Sequence, residues 1–528
     1  MKRRDFLRTG AIASVGGLTV RSMAGPLFAP LLQGGVEDDR VLVIVQLFGG
    51  NDGLNTVIPL DQYALLSGFR NNILIPEPQV LDLPGTGGIT GLHPAMGGMR
   101  DLWNDGKLSI VQGVGYPNPN FSHFRSTDIW ETGADSNQVL DSGWVGRYLN
   151  NEYPNFPNGF PNPQMPDPLA IRIGGPVSLG LQHMGISMGV AINNTDDPLD
   201  LSGNIYLDPV TADCKGGKLD FVRTIQRQTD QYGDVIEAAA ISGCNMSTLY
   251  PTGNQPGARL AQALKIVAQL ICGGLKTKIY WVSDTGFDTH AQQTDSIDHT
   301  VGTHANLLQG VSDAIHAFQD DLSLLNIEDR VMGMTFSEFG RRILSNNSGG
   351  TDHGAAAPMF LFGSQVIPGL LGDNPTIDPN STFQTNLPMQ YDFRSVYASV
   401  LTDWFCLPQS EVDQVLLNNF QNLALVDPAG CLSNSVHEAN QGAGISLLEV
   451  YPNPFTESTT ANFTTSGGRV RIQVFDEQGR IMTTVVDRDL PQGTHRASVD
   501  LGDAPAGVYY CRLQEGTRQQ VKSILKVR

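Results

Sequence analysis

The 528-residue sequence has few charged side chains, a shortage of cations and no long apolar stretch. Only 16% of its residues are charged, and 34 Lys and Arg stand against 53 Asp and Glu, which gives a formal charge of −19. This negative charge repels phosphate backbones and excludes a general nucleic-acid-binding protein. No apolar run approaches the roughly 20 residues that span a bilayer, so we expect no transmembrane segment. With 40% hydrophobic residues, the chain is globular rather than disordered.

The charge is unevenly distributed along the chain. Residues 1–30 carry a net charge of +4 and residues 447–528 carry +1, so that residues 31–446 carry −24 within the total of −19. The acidity therefore belongs to the middle region, and the two ends of the chain have a different character.

The basic N-terminus has the features of an export signal. Arg3 and Arg4 precede x-Phe-Leu, a mildly apolar stretch with glycines follows, and Ser22-Met23-Ala24 supplies small residues for cleavage. This pattern resembles a twin-arginine signal peptide over residues 1–30, with the twin-arginine translocase as partner. A basic helix at a cytoplasmic N-terminus is the alternative. Twin-arginine transport carries folded proteins, so such a protein can acquire a metal in the cytoplasm before export.

Six cysteines lie far apart and form no C-x-x-C or Cys/His cluster, which argues against a thiolate zinc site. Export permits disulfides, and Cys406 with Cys431 is the most plausible pair. Buried free thiols explain the same cysteines equally well.

The middle region alternates apolar runs with helical patterns. Residues 41–48 form a continuous apolar run before two glycines, as expected for a parallel strand buried on both faces. Similar runs recur at residues 108–114, 169–173, 278–282, 331–336 and 358–362. Leucines, valines and other apolar residues at helical spacing lie between them, at 260–271 and 307–322. This order predicts an α/β domain over residues 37–430 with a doubly wound sheet, whose sites form beyond the carboxyl ends of the strands.

The first two strand ends carry candidate catalytic and metal-binding residues. Asp52 follows the first strand among glycines and is a candidate metal ligand, although Asp-Gly also forms simple turns. Ser122 precedes a predicted helix, where backbone N–H groups and the helix dipole stabilise an anion. It is therefore either an ordinary N-cap or a nucleophile activated by a metal.

Later strand ends carry more carboxylates and histidines. Asp284, Asp288 and His290 can converge on Zn²⁺, Mg²⁺, Ca²⁺ or Mn²⁺, with a solvated turn as the alternative. Glu338 lies beside the same predicted cleft. The nearby Arg341 either binds an oxyanion or pairs with acidic neighbours.

A glycine-rich loop contains Asp352 and His353. Because glycines offer an imidazole no apolar wall, we expect His353 to be a ligand or a catalytic group.

Five motifs occur in the order typical of a large bacterial family, and they are GGNDGLN, SHFRSTDIWETG, GFDTHAQQ, TFSEFGRR and GGTDHGAAAPMFLFG. The chain resembles the family known as domain of unknown function 1501 over roughly residues 40–425. More distantly, it is similar to the alkaline phosphatase and sulfatase superfamily. That resemblance implies divalent metals at strand ends of an α/β sheet and a hydroxyl or modified cysteine that attacks an ester.

The distant resemblance also implies roles for individual residues. The implied metal ligands are Asp52, Asp284, Asp288, His290, Glu338, Asp352 and His353, although the Asp-to-His spacing differs from that of the superfamily. Ser122 is the implied nucleophile, with Ser126 as the alternative, and Arg125 or Arg341 holds the anion. Phe339 occupies the place of a histidine ligand and cannot bind a metal. One site is therefore incomplete, or Asp352 or His123 completes it.

The last part of the chain, residues 447–528, follows a polar linker at 431–446 and shows the alternation of strands. Val470, Ile472 and Val474 share one predicted face, and Leu525 and Val527 belong to another. We predict a small immunoglobulin-like sandwich. The motifs YPNPF, LPQGTH and APAGVYYCRL resemble the type A C-terminal sorting domain of the type IX secretion system, and an ordinary carbohydrate-binding module is the alternative.

Two functional hypotheses follow from these resemblances. The first is an exported metal-dependent hydrolase of small phosphate or sulfate esters, delivered through the periplasm to the cell surface by the type IX machinery. Cleavage of the sorting domain would then allow release or attachment to lipopolysaccharide. The alternative is a cell-surface protein on a phosphatase-like fold that has lost catalysis and serves binding or envelope structure.

Overall fold

The computed structural model describes residues 39–194, 219, 223, 231–429 and 431 and, with short gaps, residues 446–527. The predicted signal peptide, Cys214 and nearly all of the predicted linker lie outside the described residues. Within the described part of the chain, no helix is both long and apolar enough to cross a membrane.

The acidic middle region contains both strands and helices. Its strands are β1 (Val41–Phe48), β2 (Val57–Pro59), β3 (Leu81–Asp82), β4 (Thr90–Leu92), β5 (Leu108–Gly115), β6 (Ala170–Ile173), β7 (Gln182–His183), β8 (Ile186–Ser187), β9 (Val190–Ile192), β10 (Ile279–Thr285), β11 (Val331–Phe336), β12 (Arg341–Ser345), β13 (Thr351–His353), β14 (Ala357–Phe362), β15 (Gly369–Leu371) and β16 (Tyr391–Asp392). Its helices are α1 (Gly53–Thr56), α2 (Tyr63–Arg70), α3 (Gly97–Asn104), α4 (His123–Thr132), α5 (Trp144–Glu152), α6 (Ala258–Cys272), α7 (Thr303–Leu324), α8 (Phe393–Ser399) and α9 (Gln409–Leu416). Residues 231–242 are also helical.

The six apolar runs of the sequence are all strands of one nine-stranded sheet, as predicted. Its order is β15-β5-β14-β11-β1-β10-β6-β9, with β16 paired to β5. β1 runs parallel to β10 and β11 on its two sides, whereas β14 runs antiparallel to both β11 and β5. The sheet is therefore mixed, and its central strands are parallel.

Helices cover both faces of this sheet, as a doubly wound architecture requires. Val43 and Val45 of β1 pack in a core with α6 and α7. Leu42 and Ile44, which point to the opposite face, pack in a second core with α5, α8 and α9. Burying each such side chain contributes about 1.5–3 kcal/mol to stability, which explains why β1 carries apolar residues on both faces.

The predicted pairing of Cys406 with Cys431 is confirmed. The two residues form a disulfide with their Cα atoms 5.3 Å apart, 25 residues from each other in sequence. This bond ties the chain that follows α9 to the segment between α8 and α9.

The C-terminal region forms two antiparallel sheets. Its strands are β17 (Ser446–Tyr451), β18 (Ser458–Thr465), β19 (Gly468–Phe475), β20 (Ile481–Leu490), β21 (Gly493–Asp500), β22 (Gly507–Glu515) and β23 (Arg518–Lys526). The sheet orders are β17-β18-β21 and β20-β19-β22-β23, and their inner faces share one apolar core. Val470, Ile472 and Val474 are fully buried there, as their alternation predicted.

The prediction that Leu525 and Val527 form the apolar face of the last strand is wrong. Leu525 and Val527 are each 39% exposed, whereas Ile524 is 1% exposed and belongs to the core. Lys526 shares the face of Ile524, and its amine donates to the carbonyls of Gly502 at 2.6 Å and Ala504 at 3.0 Å. These hydrogen bonds satisfy a charge on the inner face, which a pattern of apolar and polar residues does not reveal.

Candidate metal centre

The centre forms where the parallel strands β1, β10 and β11 end, at the edge that the fold predicts. Asp288 and His290 follow β10, Glu338 follows β11 and His353 ends β13. Gly49, directly after β1, makes this close approach possible. Its φ is +128°, and a Cβ there would lie 2.3 Å from the backbone nitrogen of Asp288, so no side chain fits.

His123, His290 and His353 all point their Nε2 atoms into the centre and their Nδ1 atoms away from it. In each imidazole, Nδ1 faces an oxygen acceptor, and the pairs are His123 with Glu338 Oε1 at 2.8 Å, His290 with Asp352 Oδ1 at 3.2 Å and His353 with the Phe121 carbonyl at 2.7 Å. Because these acceptors favour the proton on Nδ1, each Nε2 keeps the lone pair that binds a metal.

The Nε2 atoms converge on the carboxylate of Asp288. The distances from Nε2 to an Asp288 oxygen are 3.1 Å for His353, 3.2 Å for His290 and 3.4 Å for His123. Ligand atoms of His123, Asp288 and His353 lie within 4.8 Å of one another. Among the described residues, these three form the group of His, Cys, Asp or Glu side chains that is spaced to hold a metal ion. The arrangement brings nitrogen and oxygen donors to one point.

The Nε2 atoms of His290 and His353 lie only 2.9 Å apart. Two lone pairs at that distance repel each other unless a proton or a cation lies with them. A divalent cation removes this repulsion, and imidazole nitrogens with a carboxylate oxygen are the ligands that zinc and similar cations take. The residues therefore fit a metal ion.

The charge states of the centre suit metal binding. Partial burial acts to raise the pKa of Asp288, but the hydrogen bond from Arg341 and the interaction with His353 outweigh it and lower that pKa to about 2. Burial lowers the pKa of the His353 imidazole below its ordinary value. At neutral pH, Asp288 is thus a carboxylate and His353 is uncharged, which are the protonation states that ligate a metal.

Arg341 lies beneath the centre and is 1% exposed. Its guanidinium donates to Asp288 Oδ1 at 2.8 Å and to the carbonyls of Gly50 at 2.7 Å, Thr351 at 2.8 Å and Phe287 at 3.0 Å. Because Arg341 is buried, its side chain is not available to bind an anionic substrate, which was one of the two predicted roles. Arg341 instead orients the Asp288 carboxylate.

Glu338 is fully buried and acts on the centre through His123. Its Oε1 accepts hydrogen bonds from His123 Nδ1 at 2.8 Å and from the Gly49 backbone N–H at 2.8 Å. Burial raises the pKa of Glu338, although the hydrogen bond with His123 opposes this effect. Glu338, which was predicted to be a metal ligand, instead orients His123 through a hydrogen bond. Carboxylates support metal-binding imidazoles in the same way.

Phe339 forms the wall against which two of the imidazoles pack. Its ring centroid lies 4.4 Å from that of His353 and 5.0 Å from that of His123. The residue that takes the place of a ligand therefore has a packing role, and His123, from α4, brings an imidazole to the centre. The sequence argument named His123 only as one option, because nothing local shows that α4 begins beside β13.

The helix α4 also positions the hydroxyl candidates. Ser122 is exposed directly before His123, and its side chain makes no hydrogen bond to the first turn of α4. Ser126 is fully buried and bonds the Tyr116 hydroxyl at 2.7 Å, so Ser122 is the accessible hydroxyl of the two. Arg125 donates to the carbonyls of Ser136 and Asp135 at 3.2 and 3.4 Å.

Two predicted metal ligands lie outside the cluster. Asp52 is 1% exposed, and its carboxylate accepts from Arg70 at 3.1 Å and from Gln293 at 2.6 Å. Asp284 pairs with Arg259 at 3.1 Å. Both aspartates sit at strand ends as predicted, but arginines from distant segments occupy their oxygens, and neither belongs to the group with metal-ligand spacing.

Two segments match known families. Residues 90–416 match the family described as "Protein of unknown function (DUF1501)", and residues 449–527 match the secretion system C-terminal sorting domain. The second match identifies the C-terminal sandwich as a type IX sorting domain, which indicates export to the cell surface through that secretion machinery. The comparison with curated proteins finds no match.

Solved structures are similar at low identity. A Bacteroides thetaiotaomicron protein from work on glycosaminoglycan metabolism is 9% identical over 92% of this chain and 89% of its own, with a TM-score of 0.34. An alkaline phosphatase superfamily protein from Vibrio parahaemolyticus is 10% identical over 86% of this chain and 82% of its own, with a TM-score of 0.31. PorZ, a surface component of the type IX secretion system of Porphyromonas gingivalis, is 16% identical over 18% of this chain and 13% of its own, with a TM-score of 0.13.

The family match covers more than half of the chain and includes α4, β10, β11 and β13, which supply the histidine cluster. Of the residues discussed for the centre, only Asp52 and the glycines that follow β1 lie before the matched segment. The chain therefore belongs to the family described as "Protein of unknown function (DUF1501)".

Proposed function

We propose that this chain is an exported metal-dependent hydrolase of phosphate or sulfate esters. The observation that carries the proposal is the convergence of three imidazole Nε2 atoms on the Asp288 carboxylate, with each Nδ1 held by an acceptor. Without a cation, the Nε2 atoms of His290 and His353 face each other at 2.9 Å, which is unfavourable unless one of them carries a proton. The sorting domain supports the exported location.

His123, Asp288 and His353 are the residues proposed to hold the cation, with His290 beside them. Nitrogen donors favour zinc or a similar borderline cation over magnesium or calcium, which prefer oxygen. When bound, such a cation polarises an ester oxygen and lowers the pKa of a hydroxyl group.

Ser122 is the proposed nucleophile. Its hydroxyl is exposed, lies next to His123 in sequence and is not used to cap α4. The N-terminus of α4 presents backbone N–H groups and a partial positive charge, which favour an anionic group beside Ser122. The exposed hydroxyl directly before His123, together with the N-terminus of α4, supports this role.

Charge balance at the centre is compatible with an anionic substrate. The three carboxylates of Asp288, Glu338 and Asp352 surround the histidines, and Arg341 offsets one of them. A divalent cation offsets the other two. A metal therefore removes the local repulsion that an anionic ester meets on a protein whose formal charge is −19.

Metal analysis of the purified protein, followed by assays on generic phosphate and sulfate esters, tests this proposal. We expect a divalent metal to copurify and its removal by a chelator to abolish turnover, with recovery on adding Zn²⁺ or Mn²⁺. Metal binding without turnover of either ester would favour the alternative, a non-catalytic surface protein. Failure to bind any metal would refute both the centre and the activity.

The Ser122→Ala variant tests the nucleophile separately. We expect it to keep the metal and lose at least about 100-fold in kcat, because the attacking oxygen is removed. Ser67→Ala, which removes an exposed hydroxyl from helix α2, is the matched control and should retain wild-type turnover. An unchanged rate in Ser122→Ala would assign the attack to another oxygen.

A further inference from the structure

Two cysteines away from the metal centre lie side by side. The Sγ atoms of Cys244 and Cys272 are 2.8 Å apart, although 28 residues separate them in sequence. Cys244 is exposed and Cys272 is partly exposed, whereas Cys511 is buried. Two sulfur atoms at this distance are closer than unbonded sulfurs normally pack, and reagents in solution can reach them.

Rigid backbone segments hold these two cysteines in place. Cys244 follows helical residues 231–242, and Cys272 ends α6. A Cβ on Gly243 would lie 2.1 Å from the Gln269 carbonyl oxygen, and one on Gly273 would lie 1.9 Å from the Ala239 carbonyl oxygen. The glycine beside each cysteine therefore allows the two helical segments to pack in backbone contact.

The chain after Cys244 is fixed as well. The Asn245 side chain donates to the Lys265 carbonyl at 3.0 Å and to Asp321 at 2.8 Å, and the Met246 N–H donates to Asp321 at 2.6 Å. Asp321 is fully buried in α7. The position of Cys244 is thus determined on both sides by contacts with α6 and α7, and the approach of the two thiols does not depend on a free loop.

We propose that Cys244 and Cys272 form a second disulfide in the exported protein. The sorting domain takes the chain to the cell surface, where thiols are not kept reduced as they are in the cytoplasm. The bond closes residues 244–272 into a loop and links α6 to the preceding helical segment. It is independent of the proposed metal centre and of the proposed hydrolase activity.

The reaction needs an external disulfide as oxidant, such as oxidised glutathione or an oxidised dithiol protein. One cysteine thiolate attacks that disulfide, forms a mixed disulfide and releases one external thiol. The second cysteine then attacks the sulfur of the first, forms the Sγ–Sγ bond and releases the second external thiol. Two protein thiols are oxidised and one external disulfide is reduced to two thiols.

Peptide mapping of the purified full-length protein tests the proposal. The protein is incubated with oxidised glutathione under native conditions, remaining thiols are blocked with N-ethylmaleimide, and a non-reduced digest is analysed by mass spectrometry. We expect the peptide with Cys244 to be linked to the peptide with Cys272, and Cys511 to remain a thiol. Blocked Cys244 and Cys272 thiols, or a link from either residue to Cys214, would overturn the proposal.

Single-cysteine variants provide an independent readout. In Cys244→Ser, Cys272 has lost its partner and should take up one equivalent of N-ethylmaleimide that the oxidised wild type does not. Cys272→Ser should expose Cys244 in the same way. Equal uptake by the variants and the oxidised wild type would contradict the bond, and this comparison does not depend on enzymatic activity.

Discussion

His123 contributes to the candidate centre from a helix, whereas the other proposed ligands come from loops and strands. Its Nδ1 is held by a buried glutamate and its ring by Phe339, so both its tautomer and its orientation are determined before any ligand binds. The same two residues, Glu338 and Phe339, are adjacent in sequence after β11. A single turn of chain therefore positions one imidazole of the centre through a hydrogen bond and a ring contact.

Replacing Glu338 by Gln tests this support. The amide oxygen can still accept from His123, but the negative charge that strengthens the imidazole as a ligand is lost. We expect metal affinity to fall by about 10–100-fold, as for other partners of metal-binding histidines. Competition with a chromogenic chelator at pH 7.5 measures the change.

Asp284→Asn is the control for Glu338→Gln, because it removes the same charge from a strand end outside the ligand group. Its metal affinity should stay within a factor of two or three of the wild type. Equal losses in the two variants would mean that general electrostatics, and not the His123 contact, determines affinity.

Glu131 in α4 makes stability depend on pH. Burial raises its pKa from 4.5 to about 7, although the Gly180 N–H donates to it at 3.0 Å. A folded-state pKa above the unfolded value means that the folded protein binds the proton more tightly. The contribution of Glu131 to stability is therefore fully present below pH 4.5 and falls by about 3 kcal/mol as the pH rises to 7. Glu131→Gln should lose this decrease, and urea unfolding at pH 5 and pH 8 measures it.

Glu237→Gln, at an exposed position of the helical residues 231–242, is the control for that comparison and should keep the wild-type decrease. The same decrease in Glu131→Gln would show that other groups cause the pH dependence.

At the scale of elements, the junction between β1 and the loop after β10 is tightly packed. Gly49→Ala places a methyl group 2.3 Å from the Asp288 nitrogen at a φ of +128°. We expect a loss of about 2–5 kcal/mol in stability together with weaker metal binding, because the loop that carries Asp288 must move. Chemical denaturation and metal titration of the same samples measure both effects.

Gly174→Ala separates the two causes in Gly49→Ala. Gly174 has a φ of +79° but no atom within 4 Å of its Cβ position. It should cost only about 1–2 kcal/mol of backbone strain and leave metal affinity unchanged. An equally small effect of Gly49→Ala would show that the loop after β10 can shift without disturbing the centre.

The elements that the sequence predicted well are those determined by local composition. β1 was predicted residue for residue, because buried parallel strands need apolar side chains on both faces. The antiparallel direction of β14 was not predicted, since strand direction depends on connections rather than on composition. In β23, both faces carry apolar residues, and the buried face includes Lys526, whose amine donates to two backbone carbonyls.

The candidate site was also predictable only where local sequence determines it. Strand-end positions identified Asp288 and His290 as neighbours, because the ends of parallel strands meet at one edge of the sheet. His353 was predicted from its glycine-rich loop instead. Asp52 and Asp284 satisfied the same rule, but Arg70 and Arg259 occupy their carboxylates. These ion pairs join segments that come together only after folding, so no local sequence pattern predicts them.

At the scale of the whole molecule, a twin-arginine signal at residues 1–30 would determine where the protein folds and therefore which metal it meets. Replacing Arg3 and Arg4 by lysines keeps the positive charge but removes the paired guanidinium groups that a twin-arginine signal requires. We expect the double variant to remain in the cytoplasm as an uncleaved precursor. Cell fractionation with an antibody against the segment 90–416, which remains after cleavage of the sorting domain, measures this. Lys2→Arg, which also conserves charge, should be exported normally. Surface delivery of the double variant at the wild-type level would show that the signal is read by charge and apolarity alone. The chain would then cross the inner membrane unfolded and bind its metal outside the cytoplasm.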